Sequence, residues 1–381
     1  MNLHIFQDSL GHYTLKACER ITRLTKGEKN LFINIVKSTP FPEIAGIKSF
    51  TLNWKDIIQY INSINGLQHV YFHSYNSYSQ FILEKVKDKQ QHVLFIWIFW
   101  SGEFYNLPEF IDDLYIGRSK KYLEKNTFLG QLRLKANYLK QFMHRPYYIH
   151  NRFIASFHQI DFFASLLEED WHNVSCYSGA KMKYLRFGYL SFSQFINQPD
   201  SAYTSDTNKP VFNLLLNHSG DPTLNHFDAL ERIQKIDFRG KIILSLSYGD
   251  KGYIKDLKEY VNSSSIKRYE IWDTFTEPNV YASRLSNIDF AVFNTSVQQG
   301  LGNIILLLWF GVKIFLREEN SVYIELKKWG MHIFSIQNEL TSEYLSSKLT
   351  KEQIKHNRCI LSKYFSDEVV DSYYQSLINL S

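Results

Sequence analysis

Short apolar runs alternate with amphipathic stretches along most of the chain, and each kind has its own period. Residues 3–7, 31–36, 70–73 and 93–100 are brief, uncharged and rich in β-branched or aromatic side chains, which predicts strands buried on both faces. Between them, residues 13–24, 54–64 and 78–86 repeat apolar positions at helical spacing, with Asn53 placed to cap the second helix. Residues 153–167 read as a further strand and helix. The stretch 201–209 is polar, lacks periodicity and ends in Pro210, which marks a domain boundary. After it the alternation restarts, with strands at 211–216, 241–246 and 267–272 and helices at 225–236, 253–261 and 278–285. Residues 288–316 then read as a compact βαβ unit: strand 288–293, polar loop, apolar helix 304–310, strand 312–316. Segments 321–329 and 332–336 are expected to complete the sheet, and the tail from Thr341 is helical, with 364–378 able to cross back onto the first half. The expected architecture is α/β: two Rossmann-like domains, 1–205 and 210–345, whose parallel sheets face each other across a cleft, followed by C-terminal helices over 346–381.

Composition narrows the class. A chain of 381 residues accommodates two cores, and 44% hydrophobic with 21% charged residues is a globular balance. Aromatics reach 16%, which admits sugar-stacking platforms, although an A·T-rich genome raises the same residues and accounts for most of them. Cys18, Cys176 and Cys359 lie far apart and outside any CxxC pair, arguing against a disulfide framework or a zinc site and for a reducing cytoplasm. The chain opens on a strand-like segment rather than a secretory leader. Its longest uncharged apolar runs, 93–100 and 304–312, are far short of the ~20 residues of a membrane span. A protein that is soluble, or that lies on a membrane surface, is expected.

Charge is unevenly spread. Arg118, Lys120, Lys121, Lys125, Arg133, Lys135, Lys140 and Arg145 fall within residues 117–148 against a single acid, Glu124, whereas the whole chain is only +5. Interleaved Tyr122, Phe128, Leu132, Tyr138, Leu139 and Phe142 make the segment amphipathic. Such a helix either lies on anionic lipid or packs its apolar side on its own domain with a solvated basic face. No nucleic-acid-binding module surrounds it, so nucleic acid is not an expected partner.

Three loops of the second half follow strands of one parallel sheet and so share an edge: Asn217-His218-Ser219-Gly220-Asp221-Pro222, Ser247-Tyr248-Gly249-Asp250 and Gln298-Gln299-Gly300-Leu301-Gly302-Asn303. Each joins glycine, which lets a ligand approach the backbone, to small hydrogen-bonding side chains. The third holds no carboxylate and opens a helix, whose first N–H groups are a seat for phosphate; alone it would serve equally as a tight turn. Together the loops describe a phosphate-and-sugar pocket. Neither G-x-G-x-x-G nor a Walker A sequence occurs, which argues against a dinucleotide oxidoreductase and a P-loop NTPase.

The motifs running from Asn217 to His226, Tyr248-Gly249-Asp250 and Gln298 to Asn303 resemble those of the 4-alpha-L-fucosyltransferase family in order and spacing. Trp100-Ser101-Gly102-Glu103-Phe104-Tyr105 is similar to its first half, with Glu103 where the family usually has aspartate, and Val297 stands where members often carry a basic residue. The resemblance implies a GT-B glycosyltransferase without an obligatory metal or cofactor, with nucleotide sugar on the second domain and acceptor on the first. It further implies transfer of a deoxy-amino sugar such as N-acetylfucosamine from a dTDP donor to an undecaprenyl-diphosphate-linked saccharide, as in enterobacterial common antigen synthesis. Residues 118–145 would then hold the enzyme on the cytoplasmic leaflet.

Without a cation, the departing diphosphate needs backbone N–H groups, a helix dipole and polar donors. Ser219, Gly220, Gln299, Gly300 and Asn303 are assigned to it with His226 as a further donor, and Asp250 and Tyr253 to nucleoside or sugar hydroxyls. Asp221 stands before a helix, where capping serves as well as catalysis. An inverting transfer needs a base from the first domain. Glu103 and Asp8 qualify by position ahead of His12 and His73, and Glu103 is the first choice. Two other readings stay open: a GT-B enzyme with another nucleotide sugar and a non-lipid acceptor, and a nucleotide-sugar-binding regulator without catalysis.

Overall fold

The computed structural model describes residues 1–7, 12–27, 29–36, 46–51, 54–125, 150–195 and 211–380. They form two compact units, each built on one all-parallel sheet. The units are discontinuous in sequence. The first takes residues up to Phe104, the segment ending at Ser191 and the C-terminal segment from Asp367; the second takes the segment beginning at Tyr105 and residues Phe192–Ser366. The polar stretch 201–209 and Asn53 lie outside the described residues.

The first sheet contains β1 (Asn2–Gln7), β2 (Asn30–Val36), β3 (Ile47–Thr51), β4 (His69–Phe72), β5 (Leu94–Ile98), β6 (Phe162–Ser165) and β7 (Lys183–Arg186), in the order β3-β2-β1-β4-β5-β6-β7. Ile5 lies opposite both Ile33 and Phe72, so its side chain is flanked by apolar neighbours on either side. Helices Trp54–Asn62 and Ser77–Lys87 stand where apolar spacing places them, the latter capped by Asn76, whose side chain accepts from Tyr78 N at 2.9 Å. The final helix, Asp367–Ile378, belongs to this unit because its apolar face is part of the core: Val370, Tyr374 and Leu377 are buried with Ile21, Tyr71 and Phe187. Each such aliphatic side chain contributes roughly 1.5–3 kcal/mol. The buried Arg20 side chain fixes the helix further, meeting Asp367 at 3.0 Å and Asp371 at 3.1 Å.

The second sheet holds β8 (Asn213–Leu216), β9 (Lys241–Ser245), β10 (Tyr269–Trp272), β11 (Phe290–Phe293), β12 (Lys313–Leu316) and β13 (Phe334–Ser335), in the order β10-β9-β8-β11-β12-β13. Helices His226–Lys235 and Lys251–Ser263 cover it with Phe227, Leu230, Ile233, Leu257 and Val261. Helix Leu301–Phe310 is apolar almost all round and correspondingly buried along its length.

Three local readings differ from the structure. Residues 153–167 hold helix before strand: His150–Ser156 is helical and β6 follows, because Phe153 and Ser156 repeat at helical spacing while the unbroken apolar run comes later. Strands β3 and β7 have no counterpart in the sequence reading; both are sheet edges, and β7 is bounded by Lys183 and Arg186 instead of forming a buried run. Residues 321–329 do not join the sheet. Ser321–Lys328 is a helix capped by Asn320, whose side chain accepts from Val322 N at 2.8 Å, and it buries Val322, Glu325 and Leu326 at helical spacing.

Candidate functional site

Strands β9, β8 and β11 are neighbours in the second sheet, so the loops after them emerge side by side at its C-terminal edge. The chain leaves β8 toward β9 and β11 toward β12, in opposite directions, which makes the β8–β11 boundary the switch point where doubly wound sheets bind ligands. Asn217 ties the two loops there. It adopts φ +58°, donates to Leu224 O at 3.0 Å and accepts from Asn294 N at 2.9 Å. Asn225, at φ +50°, is a second buried clasp: its amide reaches the carbonyls of Thr223 and Leu114 at 2.9 Å and of Asn294 at 3.2 Å.

The glycines of the first two loops serve each other. Gly220 donates to Tyr248 O at 2.7 Å and accepts from Asp250 N at 3.1 Å, prolonging the β8–β9 pairing as a parallel bridge to Gly249. Gly249 sits at φ +129°, and a Cβ there would run into the Gly220 backbone. The expected approach of ligand to these two backbones is therefore replaced by loop-to-loop contact, which leaves Ser247, the half-exposed ring of Tyr248 and Asp250 facing solvent. Both acids cap helices. Asp221 accepts from Thr223 N at 2.9 Å ahead of the turn Pro222–Leu224, and Asp250 accepts from Tyr253 N at 2.7 Å at the start of Lys251–Ser263.

The third loop is open where the others are closed. Gly300, at φ +67°, turns the chain into Leu301–Phe310, and no side chain caps that helix or places an acid in its first turn. Gln299 is drawn aside, its amide donating to Thr223 Oγ1 at 2.7 Å, which in turn donates to Asp221 at 2.6 Å. Gln298, Gly302 and Asn303 are half-buried around this helix start. A side chain at position 300 would come within 2.6 Å of His218 Nδ1, a buried nitrogen without a hydrogen-bond partner.

Ser219, His226 and Tyr253 are buried. Tyr253 packs in the core and its hydroxyl accepts from His226 N at 3.2 Å, so it does not stand open for a nucleoside or sugar hydroxyl as expected. Burial lowers His226 to about 3, helped by nearby His218, and lowers His218 to about 4 against the opposing pull of Asp221. Both are neutral at physiological pH.

Two contributors were not foreseen. Tyr115 arrives from the first half of the sequence; Asn225 secures its neighbours, accepting from Ile116 N at 3.1 Å while donating to Leu114 O, and the Tyr115 phenol, pushed up to about 12 chiefly by burial, also feels Asp221 and Asp250. Arg317, just past β12, brings Nη1 to 3.5 Å from Asn294 Oδ1 and pairs through Nε with Glu319 at 2.5 Å. A basic residue directly after a strand of this sheet was the available signal for Arg317; for Tyr115 no sequence signal exists, because only folding joins it to the second unit.

The basic segment starts as helix Gly117–Lys125, docked on this same unit. Asp228 accepts from Arg118 N at 2.6 Å and Ser119 N at 2.9 Å; Arg118 pairs with Glu231 at 2.5 Å and lies 4.6 Å from the Tyr260 ring centre. Arg118 makes these contacts while remaining exposed, and Lys121 is exposed as well. The side chain of Lys125, and Arg133, Lys135, Lys140 and Arg145 altogether, lie outside the described residues.

In the first unit, Glu103 is turned inward. Its Oε1 accepts from Trp97 Nε1 at 3.0 Å and Trp100 N at 2.9 Å, and burial raises its carboxyl above the usual range against those hydrogen bonds. That geometry anchors a turn and replaces the expected presentation of a free base. Asp8 and the side chain of His12 lie outside the described residues, and His73 is buried. A hollow of about 530 Å³ lined by Asn213, Lys241, Lys267 and Arg268 sits at the opposite, N-terminal ends of β8–β10, away from every loop above. Among the described residues, no three His, Cys, Asp or Glu side chains gather to hold a metal, and no helix is long and apolar enough to cross a membrane.

The family model for 4-alpha-L-fucosyltransferases, glycosyl transferase group 56, matches residues 188–380, just over half the chain. Among solved structures, HepE of Anabaena in complex with UDP and glucose is similar at TM-score 0.63 and 10% identity, covering 100% of this chain and 99% of that one. A glycosyltransferase from Rickettsia africae reaches 0.62 at 11% identity, with 100% and 99% covered. The lipopolysaccharide outer core galactosyltransferase WaaB reaches 0.62 at 8%, with 99% of each chain covered. At these identities the likeness speaks to the fold: two parallel-sheet α/β units of the GT-B type. Taken with the match over its second half, the chain belongs to the 4-alpha-L-fucosyltransferase family, and it is a GT-B glycosyltransferase.

Proposed function

We propose that this enzyme seats a nucleoside-diphosphate sugar on the loop edge of the second sheet and passes the sugar to a saccharide carried on a lipid diphosphate. The observation that carries the reading is the start of helix Leu301–Phe310, uncapped and free of acid at the switch point of its sheet. Its first-turn N–H groups and dipole favour the charge that grows on the diphosphate as the anomeric carbon–oxygen bond breaks. Arg317 beside Asn294 supplies a side-chain cation that the three loops lack, and the unpartnered Nδ1 of His218 gives the site a further polar contact. Exposed Tyr248 and Asp250, with Tyr115 beside them, are suited to the nucleoside or sugar.

As the acceptor oxygen bonds to the anomeric carbon it loses its proton. With Glu103 committed to its own turn, Asp8, next after β1 in sequence, is the carboxylate assigned to that proton. Losing a general base costs roughly 10²–10⁴-fold in rate. Asp8→Asn is expected to fall in that range while Glu103→Gln, which keeps an acceptor oxygen for Trp100 N, falls less; the reverse ranking would restore Glu103 as base.

We extend the reading to a deoxy-amino sugar on dTDP and an undecaprenyl-diphosphate-linked acceptor, with Lys121 and the basic residues 125–145 on the anionic cytoplasmic leaflet. UDP appears in the complexes of HepE, so the base is decided by a thermal-shift panel of dTDP-, UDP- and GDP-sugars. Stabilisation by one of them, transfer that survives EDTA, and flotation with anionic vesicles that is lost on reversing Lys121, Arg133 and Lys135 are the expected results. A panel with no stabilising nucleotide would sink the donor site.

A further inference from the structure

A hydrogen-bonded chain in the first sheet runs from the strand starts at Asn2 and Asn30, through buried histidines, to an exposed indole at the C-terminal edge. His4 in β1 and His73 just past β4 stand on adjacent strands, with His4 Nδ1 and His73 Nε2 3.1 Å apart. His73 Nδ1 lies 2.8 Å from the Tyr189 hydroxyl, and Trp100 Nε1 lies 3.2 Å from the same oxygen. At the inner end His4 Nε2 meets Asn30 Oδ1 at 3.2 Å, an oxygen that also accepts from Asn2.

Every proton in this chain has an assigned place. Asn30 Oδ1 can only accept, so His4 carries its proton on Nε2 and offers a lone pair at Nδ1. His73 Nε2 donates to that lone pair, which leaves His73 Nδ1 to accept from the Tyr189 hydroxyl. The indole N–H of Trp100 can only donate, and it does so to the Tyr189 oxygen. Burial holds His4 at about 3 and His73 well below its ordinary value, so neither ring is fit to store a proton. The chain is an orienting device: it aims the phenol proton inward and leaves the oxygen to accept from outside.

Trp100 is held as firmly. It is 40% exposed and lies against Tyr189, ring centres 4.5 Å apart at 33°. Its backbone N–H is anchored by Glu103 and the preceding Phe99 N donates to Ala164 O at 2.9 Å. Ser101, at φ +80°, and Ser74, at φ +141°, hold the ends of β5 and β4 in conformations that cost free energy for a residue with a side chain. Strain at two adjacent strand ends, together with the anchored indole, marks an edge built to present something.

We propose that Trp100 and Tyr189 form a binding platform for a pyranose ring, its apolar face on the indole and one hydroxyl donating to the Tyr189 oxygen. Glu103, His73 and His4 are its positioning residues. The platform deepens the proposed function and rests on the reading that the first unit receives a saccharide acceptor. The probes are methyl β-glycosides of glucose, galactose and N-acetylglucosamine, followed by saturation-transfer NMR on the full chain. At least one is expected to bind. Trp100→Ala should weaken it about tenfold, Trp100→Phe should recover most of the loss, and Tyr189→Phe should weaken it a few-fold. All three variants should keep the nucleotide thermal shift. If Trp100→Ala fails to fold, Trp100→Phe and Tyr189→Phe carry the comparison. No glycoside binding to the wild type, or wild-type affinity in both Trp100→Ala and Tyr189→Phe, overturns the platform. Glycoside binding without any nucleotide shift would instead overturn the donor site and leave the platform standing.

Discussion

Gly249 and the buried histidines show how single positions divide between holding the site and forming it. Gly249 takes φ +129° with its missing side chain pointed at the Gly220 backbone, so Gly249→Ala meets both strain and a clash. We expect a loss of about 3 kcal/mol, read by urea unfolding, together with loss of nucleotide binding. His4, His73, His218 and His226 are all neutral in the fold and lowered by burial. Each takes up a proton only on unfolding, so below pH ~6.5 the unfolded chain binds more protons and stability falls as pH falls, by up to about 1.4 kcal/mol per pH unit for each histidine. Glu103 works the other way, since its raised value gives a contribution that is present at low pH and lost as pH climbs through the carboxylate range. The expected net result is a melting temperature that drops steadily from pH 7 to pH 5; a flat profile would mean that these rings are solvated.

Helix Gly117–Lys125 illustrates what elements add. Its composition reads as a lipid-facing surface, yet its first turn is capped from a different helix by Asp228, and Arg118 is spent on Glu231 and Tyr260. Asp228→Ala removes both acceptors at once and is expected to cost about 2 kcal/mol and to raise amide exchange across residues 115–121, carrying Tyr115 away from Asp221 and Asp250. Unchanged exchange there would show that the apolar face alone docks the helix. Helix Leu301–Phe310 makes the converse case. Its apolar run and glycine start were evident from the sequence, which left anion seat and tight turn equally open; that Gln299 turns away to Thr223 and leaves the helix start uncapped was not evident.

At the scale of the molecule, the C-terminal helix decides which residues make a unit. Asp367–Ile378 completes the core of the first sheet while the residues just before it belong to the second. Removing residues 367–381 uncovers Ile21, Tyr71 and Phe187 and leaves Arg20 without its carboxylates. The truncated chain is expected to lose the cooperative unfolding of the first unit yet keep nucleotide stabilisation of the second, measured by calorimetry with and without nucleotide. A single unchanged transition would show that the helix is dispensable.

The alternation of short apolar runs with amphipathic stretches was sufficient for two parallel α/β sheets, because strands buried on both faces must be nearly continuous in apolar residues. The same logic made the three loops after β8, β9 and β11 legible as one edge, since parallel strands point their ends one way. Edge strands β3 and β7 escaped notice, being half-solvated and without such a run. Tertiary structure alone decided that Gly220 and Gly249 lie against each other, that Glu103 faces two tryptophans, that Tyr115 joins loops over a hundred residues away and that four histidines are neutral. Those outcomes depend on which groups are brought within hydrogen-bond distance and removed from water, and both are properties of the folded surroundings rather than of residue type or spacing.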